Sequence, residues 1–314
     1  MKDCKKNNDI FGKVFWIIIA IVLALYSLSV IATLLWGFLT SLKSQVDFVV
    51  YKNVLKLPSL EWSKEEFLHL KNYVMIFKDF KVNEEISYFV GDRAVGRETT
   101  TGLMGMFINS FIYAGLGAVL ATLSPTIVAY MCAKYTNKFS KFIYMLVIVI
   151  MTIPIVGNQA SMITVLRRLN LYDNYFGILC MKFSFMNMYF LVLFGFFQGL
   201  PDAYVEAAEI DGGTQFIILI KIILPLAIKM MTTIFLIQFV QKWNDYQTAL
   251  LYMPTHPTLS YGVFKLSIGT NKGTFGFIPA KTAACMLLAL PILVIFIAFR
   301  DKLMGNMSLG GIKG

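Results

Sequence analysis

The stretch YVEAAEIDGGTQFIILIKIILPLA, Tyr204 to Ala227, sets three acids, Glu206, Glu209 and Asp211, within six residues, passes Gly212 and Gly213, and becomes an apolar run. So sharp a change of character divides the chain into segments suited to an apolar medium and segments suited to water.

The same division runs through all 314 residues, of which 57% are hydrophobic and 15% charged, with a mean hydropathy of +0.68. Soluble globular domains carry about a quarter charged residues. Val14 to Leu42, Thr99 to Ala133 and Phe142 to Leu166 hold no charge over 29, 35 and 25 residues. Asn174 to Pro201 is interrupted by Lys182 and Ile222 to Asn244 by Lys229, and Thr282 to Phe299 lies between Lys281 and Arg300, which can snorkel. A helix crossing a bilayer needs roughly 20 apolar residues, so six spans are expected. A soluble protein would have too little polar surface to cover six such helices. The first run is longer than the apolar part of a signal peptide and lacks a small-residue cleavage site, so it reads as a retained span.

Lys and Arg bias sets orientation. Lys2, Lys5, Lys6 and Lys13 precede the first span, Lys134, Lys138 and Lys141 separate the second from the third, and Arg300, Lys302 and Lys313 follow the sixth. These fall on one side if both termini are cytoplasmic; Arg167 and Arg168 dissent. The net charge of +10 is thereby a topology signal, and no nucleic-acid partner is expected. Cys4, Cys132, Cys180 and Cys285 form no disulfide framework. An excess of 23 lysines over 5 arginines is the bias of an AT-rich genome and hints at a Gram-positive cell.

The expected fold is all-α: a polytopic membrane protein with six transmembrane helices, an external helical cap and a short cytoplasmic helix. Residues 1–13 form a cytoplasmic N-terminus, 14–43 the first transmembrane helix, 44–104 an external loop or cap, 105–300 the core with its loop at 201–225, and 301–314 a cytoplasmic tail. In the cap, Ser63-Lys64-Glu65-Glu66 fits a capping box, followed by Phe67, Leu70, Tyr73, Val74 and Phe77 at helical spacing. Such a cap could pack on the spans or touch an extracellular partner. Leu250 to Ala280 is a second external segment rich in Pro and Gly. Pro125, Pro154 and Pro291 fall inside spans, and Gly115, Gly117, Ala118 and Ala121 give the second span a face for close packing.

No catalytic or metal-ligating constellation is present. His69 and His256 read as solvated loop residues, and no phosphate-binding G-x-x-x-x-G-K-[S/T] occurs. Ion-coupled transporters carry Asp, Glu or His inside their spans; here the runs carry lysines, Lys182 and Lys229 among them. Energy for uphill transport must then come from a partner. Two groups of polar residues lie near span midpoints: Asn158, Gln159 and Ser161 just beyond Pro154, and Phe183, Ser184 and Asn187. Amides in lipid need partners, so these either bond other helices or line a path for a polar solute.

In the opening stretch, Pro201 stops the fourth span, Asp202 is a good N-cap, and Ala203 to Asp211 is expected to form a helix that ends at Gly212 with positive φ. Nine residues fall below the ~12–15 at which an isolated helix is even marginal, so it needs something to dock against. Ala207 and Ala208 permit close approach, and the acids suit a basic partner.

Glu206-Ala207-Ala208, three residues, Gly212, nine residues, Ile222, one residue, Leu224-Pro225 resembles the EAA motif of importer-type ABC transporter permeases at every fixed position. Asn109-Ser110-Phe111 and Ala129-Tyr130 in the second span, Arg168 to Tyr175 before the fourth, Trp243-Asn244-Asp245-Tyr246 after the fifth, and Gly310-Gly311-Ile312-Lys313-Gly314 are similar to the carbohydrate-importer branch, including the smaller permease subunit of maltose-type importers. The first external loop is longer than in the shortest members.

The resemblance implies a transport subunit, not an enzyme, paired with a second, related permease as a heterodimer. Two ABC ATPase subunits would bind ATP and magnesium, leaving this chain without a cofactor or metal. An extracytoplasmic solute-binding protein would deliver a sugar, an oligosaccharide on the branch resemblance. It makes Glu206, Ala207, Ala208, Glu209, Asp211 and Gly212 the coupling contacts to the ATPase. Gly310, Gly311 and Lys313 become a tail reaching between the ATPase subunits, and Asn158, Gln159, Phe183, Ser184 and Asn187 the substrate path, with Phe183 stacking on a sugar ring. The alternatives are an importer of a different polar solute and, in another class, a secondary transporter, channel or membrane scaffold.

Overall fold

The computed structural model describes residues 2–50, 52–58, 70–90, 93–135, 137–153, 157–269 and 276–306. Two compact units emerge, residues 1–78 with 266–289, and residues 79–265 with 290–314.

The first unit opens with α1, Lys2–Ser41, unbroken over 40 residues. Within its apolar stretch the hydroxyls of Ser27, Ser29 and Thr33 donate to carbonyls of the preceding turn, Leu23, Tyr26 and Ser29, at 2.7–2.9 Å. Polar side chains are thus satisfied by the helix itself, as an apolar surround demands. Gly37 lets α1 approach α13 (Ile278–Asn306): a Cβ there would lie 2.9 Å from Met286 Cε.

Beyond α1 the chain folds around a buried lysine. Lys43, 1% exposed, donates to the carbonyls of Asn53 at 2.8 Å and Val54 at 3.1 Å. Asn72, on α2 (Lys71–Asp79), donates to the Ser41 and Lys43 carbonyls at 2.8 and 2.9 Å. Within the stretch expected to form a helical cap, Lys71–Asp79 is helical; Ser63 to Phe67 lies outside the described residues.

The all-α expectation fails at Lys81. Strand β1, Lys81–Val90, pairs antiparallel with β2, Arg93–Gly102, from Lys81 opposite Gly102 to Val90 opposite Arg93. The sequence accounts for it. Val82, Ile86, Tyr88 and Val90 recur with period two, Thr99 to Thr101 are β-branched, and a Gly-Asp pair separates the strands.

Helix α3, Leu103–Lys134, follows directly from β2 and is the spine of the second unit. Its 32 residues extend about 48 Å. It packs against α10 (Leu224–Trp243) and α7 (Met188–Gln198). Ala114, Gly117, Ala118 and Ala121 are buried, and a Cβ on Gly117 would lie 3.0 Å from the Lys242 stem on α10. Gly115, expected on this face, meets open space instead; Ala114 takes its place.

The described residues do not show six continuous spans. Among the described residues four helical stretches are long and apolar enough to cross a membrane uninterrupted: Gly12–Ser41, Leu103–Lys134, Gln215–Trp243 and Ile278–Phe299. The third run is split into α4 (Lys138–Thr152) and α5 (Gln159–Arg168), and the fourth into α6 (Tyr175–Lys182) and α7. The first break has a local cause: Ile153 precedes Pro154 and is extended, with ψ 115°, as the proline ring requires. The second contains no proline. There Phe183 leaves helical geometry, and Asn187 begins α7 by accepting from the Tyr189 and Phe190 amides at 3.0 and 3.3 Å.

After α7 the chain turns by 70° into α8, Ala203–Ile210. It re-enters the unit through α9 (Gln215–Ile218) and a π-helical turn, Leu219–Ile223, continuous with α10. In that turn the Leu224 amide reaches back to the Leu219 carbonyl. The wide turn sits where Pro225 brings no N–H and would crowd a regular one. The chain then continues through α11 (Tyr246–Tyr252) and α12 (Leu259–Ile268). The segment read as a second external loop therefore contains a helix, whose Gly262 admits Met106 Sδ to 2.5 Å of where a Cβ would be.

Candidate functional site

Helix α8 sits beside the C-terminal end of α3, and none of its residues is buried. Val205 and Ala208 pack against the cluster formed by Tyr130, Phe197 and Ile218. Tyr204, Glu206, Ala207, Glu209 and Ile210 face outward, Ile210 being 86% exposed, with Phe216 beside them at 70%. The helix ends as the sequence leads one to expect: Gly212 has φ +78°. Its amide bonds to the Glu209 carbonyl at 3.0 Å and that of Gly213 to the Ala208 carbonyl at 2.9 Å, the paired bonds of a Schellman motif. Gly213 is needed for a second reason, since a Cβ there would lie 2.8 Å from the Ala208 carbonyl oxygen.

The start of α8 differs from expectation. Asp202 is already helical, with φ −66° and ψ −22°, and its side chain makes no capping bond. Its carboxylate instead pairs with Lys134 Nζ at 2.6 Å, and the same ammonium donates to the Leu200 carbonyl at 2.5 Å. Of the three acids, Glu209 accepts from Gln215 Nε2 at 2.6 Å, and the Gln215 amide oxygen accepts from the Tyr135 hydroxyl. Among the described residues the carboxylates of Glu206 and Asp211 make no hydrogen bond or ion pair.

The residues proposed from sequence for a solute path sit at the two helix breaks. Asn158 and Gln159 open α5 and are exposed, and Asn158 caps no amide with its side chain. Phe183 is 57% exposed and Ser184 is exposed beside it. Asn187 bonds within its own segment, donating to the Ser184 carbonyl at 3.0 Å and capping α7. No hydrogen bond joins the two groups among the described residues. Gly310, Gly311 and Lys313 lie outside the described residues.

Sequence reasoning passed over the polar centre at the start of α11. Asp245 accepts from the Tyr113 hydroxyl at 2.6 Å, from Thr248 Oγ1 at 2.5 Å and from its backbone amide at 3.0 Å, and pairs with Lys182 at 3.5 Å. Lys242, inside the fifth run and 8% exposed, donates to Gln238 at 2.6 Å. The available signal was that Asp245 falls two residues beyond Trp243, and Lys242 one residue before it.

A further polar network lies toward the N-terminal end of α3. Asn109 accepts from the Tyr175 hydroxyl at 2.7 Å and donates to the Pro257 carbonyl at 3.0 Å, while Ser110 accepts from the Leu259 amide at 2.7 Å. Asp173 accepts from the Thr255 amide at 3.1 Å and its hydroxyl at 2.5 Å. His256, expected to be solvated, lies 3.6 Å from Asp173 with its ring against Tyr175. Burial works to raise the Asp173 pKa, but the nearby His256 ring and the hydrogen bonds from Thr255 outweigh it and hold the carboxyl below its ordinary value.

Comparison with known proteins agrees with this layout. The sulfoquinovosyl glycerol transport system permease protein SmoH of Agrobacterium fabrum is 25% identical over 283 residues, covering 89% of this chain and 88% of its own. The melibiose/raffinose/stachyose import permease protein MelC of Bacillus subtilis is 28% identical over 211 residues, 66% of this chain and 75% of its own. In three dimensions the chain is similar, with a TM-score of 0.72 at 19% identity, to a chain in the crystal structure of a bacterial ABC transporter involved in the import of the acidic polysaccharide alginate. That likeness covers 92% of this chain and 96% of the other, and concerns the fold. Residues 125–307, from Pro125 in α3 through α8 to the end of α13, match the family described as "Binding-protein-dependent transport system inner membrane component", and the chain belongs to that family of membrane transport components.

Proposed function

We propose that the chain is one permease subunit of an ATP-driven ABC importer and forms half of the path for a sugar, in particular an oligosaccharide, delivered by an extracytoplasmic binding protein. The observation that carries this reading is α8. It is an eight-residue helix with no buried residue, and it presents Glu206, Ala207 and Ile210 to solvent. A helix this short does not stand by itself in water, and its exposed carboxylate and small side chains fit a partner that brings positive charge. In this reading the partner is the ATPase subunit, which binds ATP and magnesium and contacts Glu206, Ala207, Ala208, Asp211 and Gly212. Glu209 contributes through its bond to Gln215. A second, related permease completes the path, and both termini lie in the cytoplasm of a bacterial cell.

The sugar assignment draws on relatives whose names carry sulfoquinovosyl glycerol and melibiose, raffinose and stachyose. In this reading α4–α5 and α6–α7 are broken spans whose exposed Asn158, Gln159, Phe183 and Ser184, with the half-buried Asn187, line the path. A different polar solute is the alternative cargo. The test is Glu206→Ala in the complex expressed with its ATPase and reconstituted into proteoliposomes. The variant should insert normally, lose co-purified ATPase and lose oligosaccharide uptake. Full uptake with a wild-type complement of ATPase would overturn the reading.

A further inference from the structure

Helix α8 is joined in sequence to α7 and α9, yet two consecutive residues at the C-terminal end of α3 reach it through their side chains. Lys134, the last residue of α3, pairs with Asp202 at the start of α8 across 68 positions of sequence. Tyr135, the next residue, bonds to Gln215 across 80 positions, and Gln215 bonds in turn to Glu209 in the last turn of α8. Two consecutive residues therefore reach both ends of one helix.

Resting on the reading of α8 as the ATPase-docking helix, we infer that Lys134 and Tyr135 are positioning residues: they bind α8 to the end of α3 so that a displacement of the docked helix is passed to α3 as the motion of one rigid piece. The chain connections cannot do this alone. On one side α7 meets α8 at a 70° bend, and on the other the backbone turns out of the helix at Gly212, φ +78°, so neither connection continues α8 as a helix. Burial contributes little, because Val205 and Ala208 alone in α8 are part-buried. The Lys134 tie is well set, its side chain being 9% exposed and its ammonium shared between Asp202 and the Leu200 carbonyl. Helix α3 is the element able to carry the motion, since it packs along both α7 and α10.

The test uses the full transporter, permease pair with ATPase, in proteoliposomes, and reads uptake per ATP hydrolysed together with co-purified ATPase. Lys134→Gln, Tyr135→Phe and Gln215→Leu should keep ATPase at wild-type stoichiometry while uptake per ATP falls by about fivefold or more, the low end of coupling between sites. Lys134→Arg should retain coupling. The bonds of Gln215 lie at the exposed surface, so Gln215→Leu remains readable if Lys134→Gln fails to insert. An unchanged ratio in Gln215→Leu and Tyr135→Phe would overturn the inference. Loss of ATPase from the purified variants would also overturn it, because the ties would then shape the docking surface instead of carrying motion. A wild-type complex without ATPase or uptake would refute the proposed function itself, which separates the two failures.

Discussion

Lys182 Nζ lies 3.5 Å from the Asp245 carboxylate, joining the last residue of α6 to the cap of α11. Tyr113 and Thr248 bond to the same carboxylate oxygen, at 2.6 and 2.5 Å. The side chains of Lys182 and Asp245 are 23% and 24% exposed. Removing the acceptor takes the counter-charge from the Lys182 ammonium, which keeps the Thr248 hydroxyl at 3.1 Å, and the acceptor from the Tyr113 and Thr248 hydroxyls. Asp245→Ala is expected to destabilise the protein in detergent by about 1.5–3 kcal/mol, the range for a hydrogen bond to a charged group. Lys182→Met added to Asp245→Ala should recover part of that loss, since it removes the stranded charge. Thermal unfolding of the two single variants and the double variant measures it, and strict additivity would show that the pair is uncoupled.

Gly212 and Gly213 should fail in different ways. Gly212→Ala meets open space but keeps φ at +78°, at a cost of about 1 kcal/mol. Gly213→Ala drives a methyl to 2.8 Å of the Ala208 carbonyl, so the end of α8 must shift. Uptake should therefore fall further in Gly213→Ala than in Gly212→Ala, with both proteins inserted. Equal uptake in the two would contradict the close approach.

Asn158 and Asn187 separate a path role from a structural one. Asn187→Leu loses the cap of α7, worth about 1 kcal/mol, whereas Asn187→Ser keeps a capping oxygen. If the side chain also meets the cargo, Ser should restore stability but not uptake. Asn158 caps nothing, so Asn158→Leu should leave stability unchanged and lower uptake. Wild-type uptake and glycan-stimulated ATP hydrolysis in both Leu variants would remove these residues from the path.

The Asp173 carboxyl contributes stability that depends on pH. Its folded pKa is depressed, so the contribution is complete above the unfolded value, about 3.9. It is lost as pH falls through the folded value. Asp173→Asn should therefore lower the unfolding temperature at pH 7, and the gap from wild type should narrow below about pH 4. A gap that is constant between pH 7 and pH 3 would contradict the depressed pKa.

The sequence was readable where one residue's chemistry decides the backbone. Pro201 and Gly212 bound α8, and Pro154 marks the break between α4 and α5. The break at Phe183 to Asn187 was hidden because it contains no proline: Asn187 there competes for backbone amides, and its amide side chain reads equally well as a cargo contact. The hairpin was hidden by its charges, since Glu84, Glu85, Arg97 and Glu98 obscure the period-two pattern of Val82, Ile86, Tyr88 and Val90. At Asp202 local and distant partners compete, and sequence shows only the local one. A side chain that could cap its own helix is claimed by Lys134, 68 positions away. Asp245 shares this property, its partners Tyr113 and Lys182 lying 132 and 63 positions distant.

The π turn at Leu219–Ile223 gives the spacing of the opening motif an angular meaning. A regular helix advances about 100° per residue, and a π turn accommodates one residue more than an α turn, so the two halves of Gln215–Trp243 belong to two helical wheels offset in phase. Gln215, which holds Glu209, is on the first wheel; Lys242, which meets Gly117, is on the second. Deleting one residue between Thr214 and Leu224 would restore a regular helix and rotate the α8 end by about one residue's turn relative to α10. The nine residues between Gly212 and Ile222 therefore act as a torsional setting, fixing the azimuth at which α8 leaves the bundle as well as its distance from it.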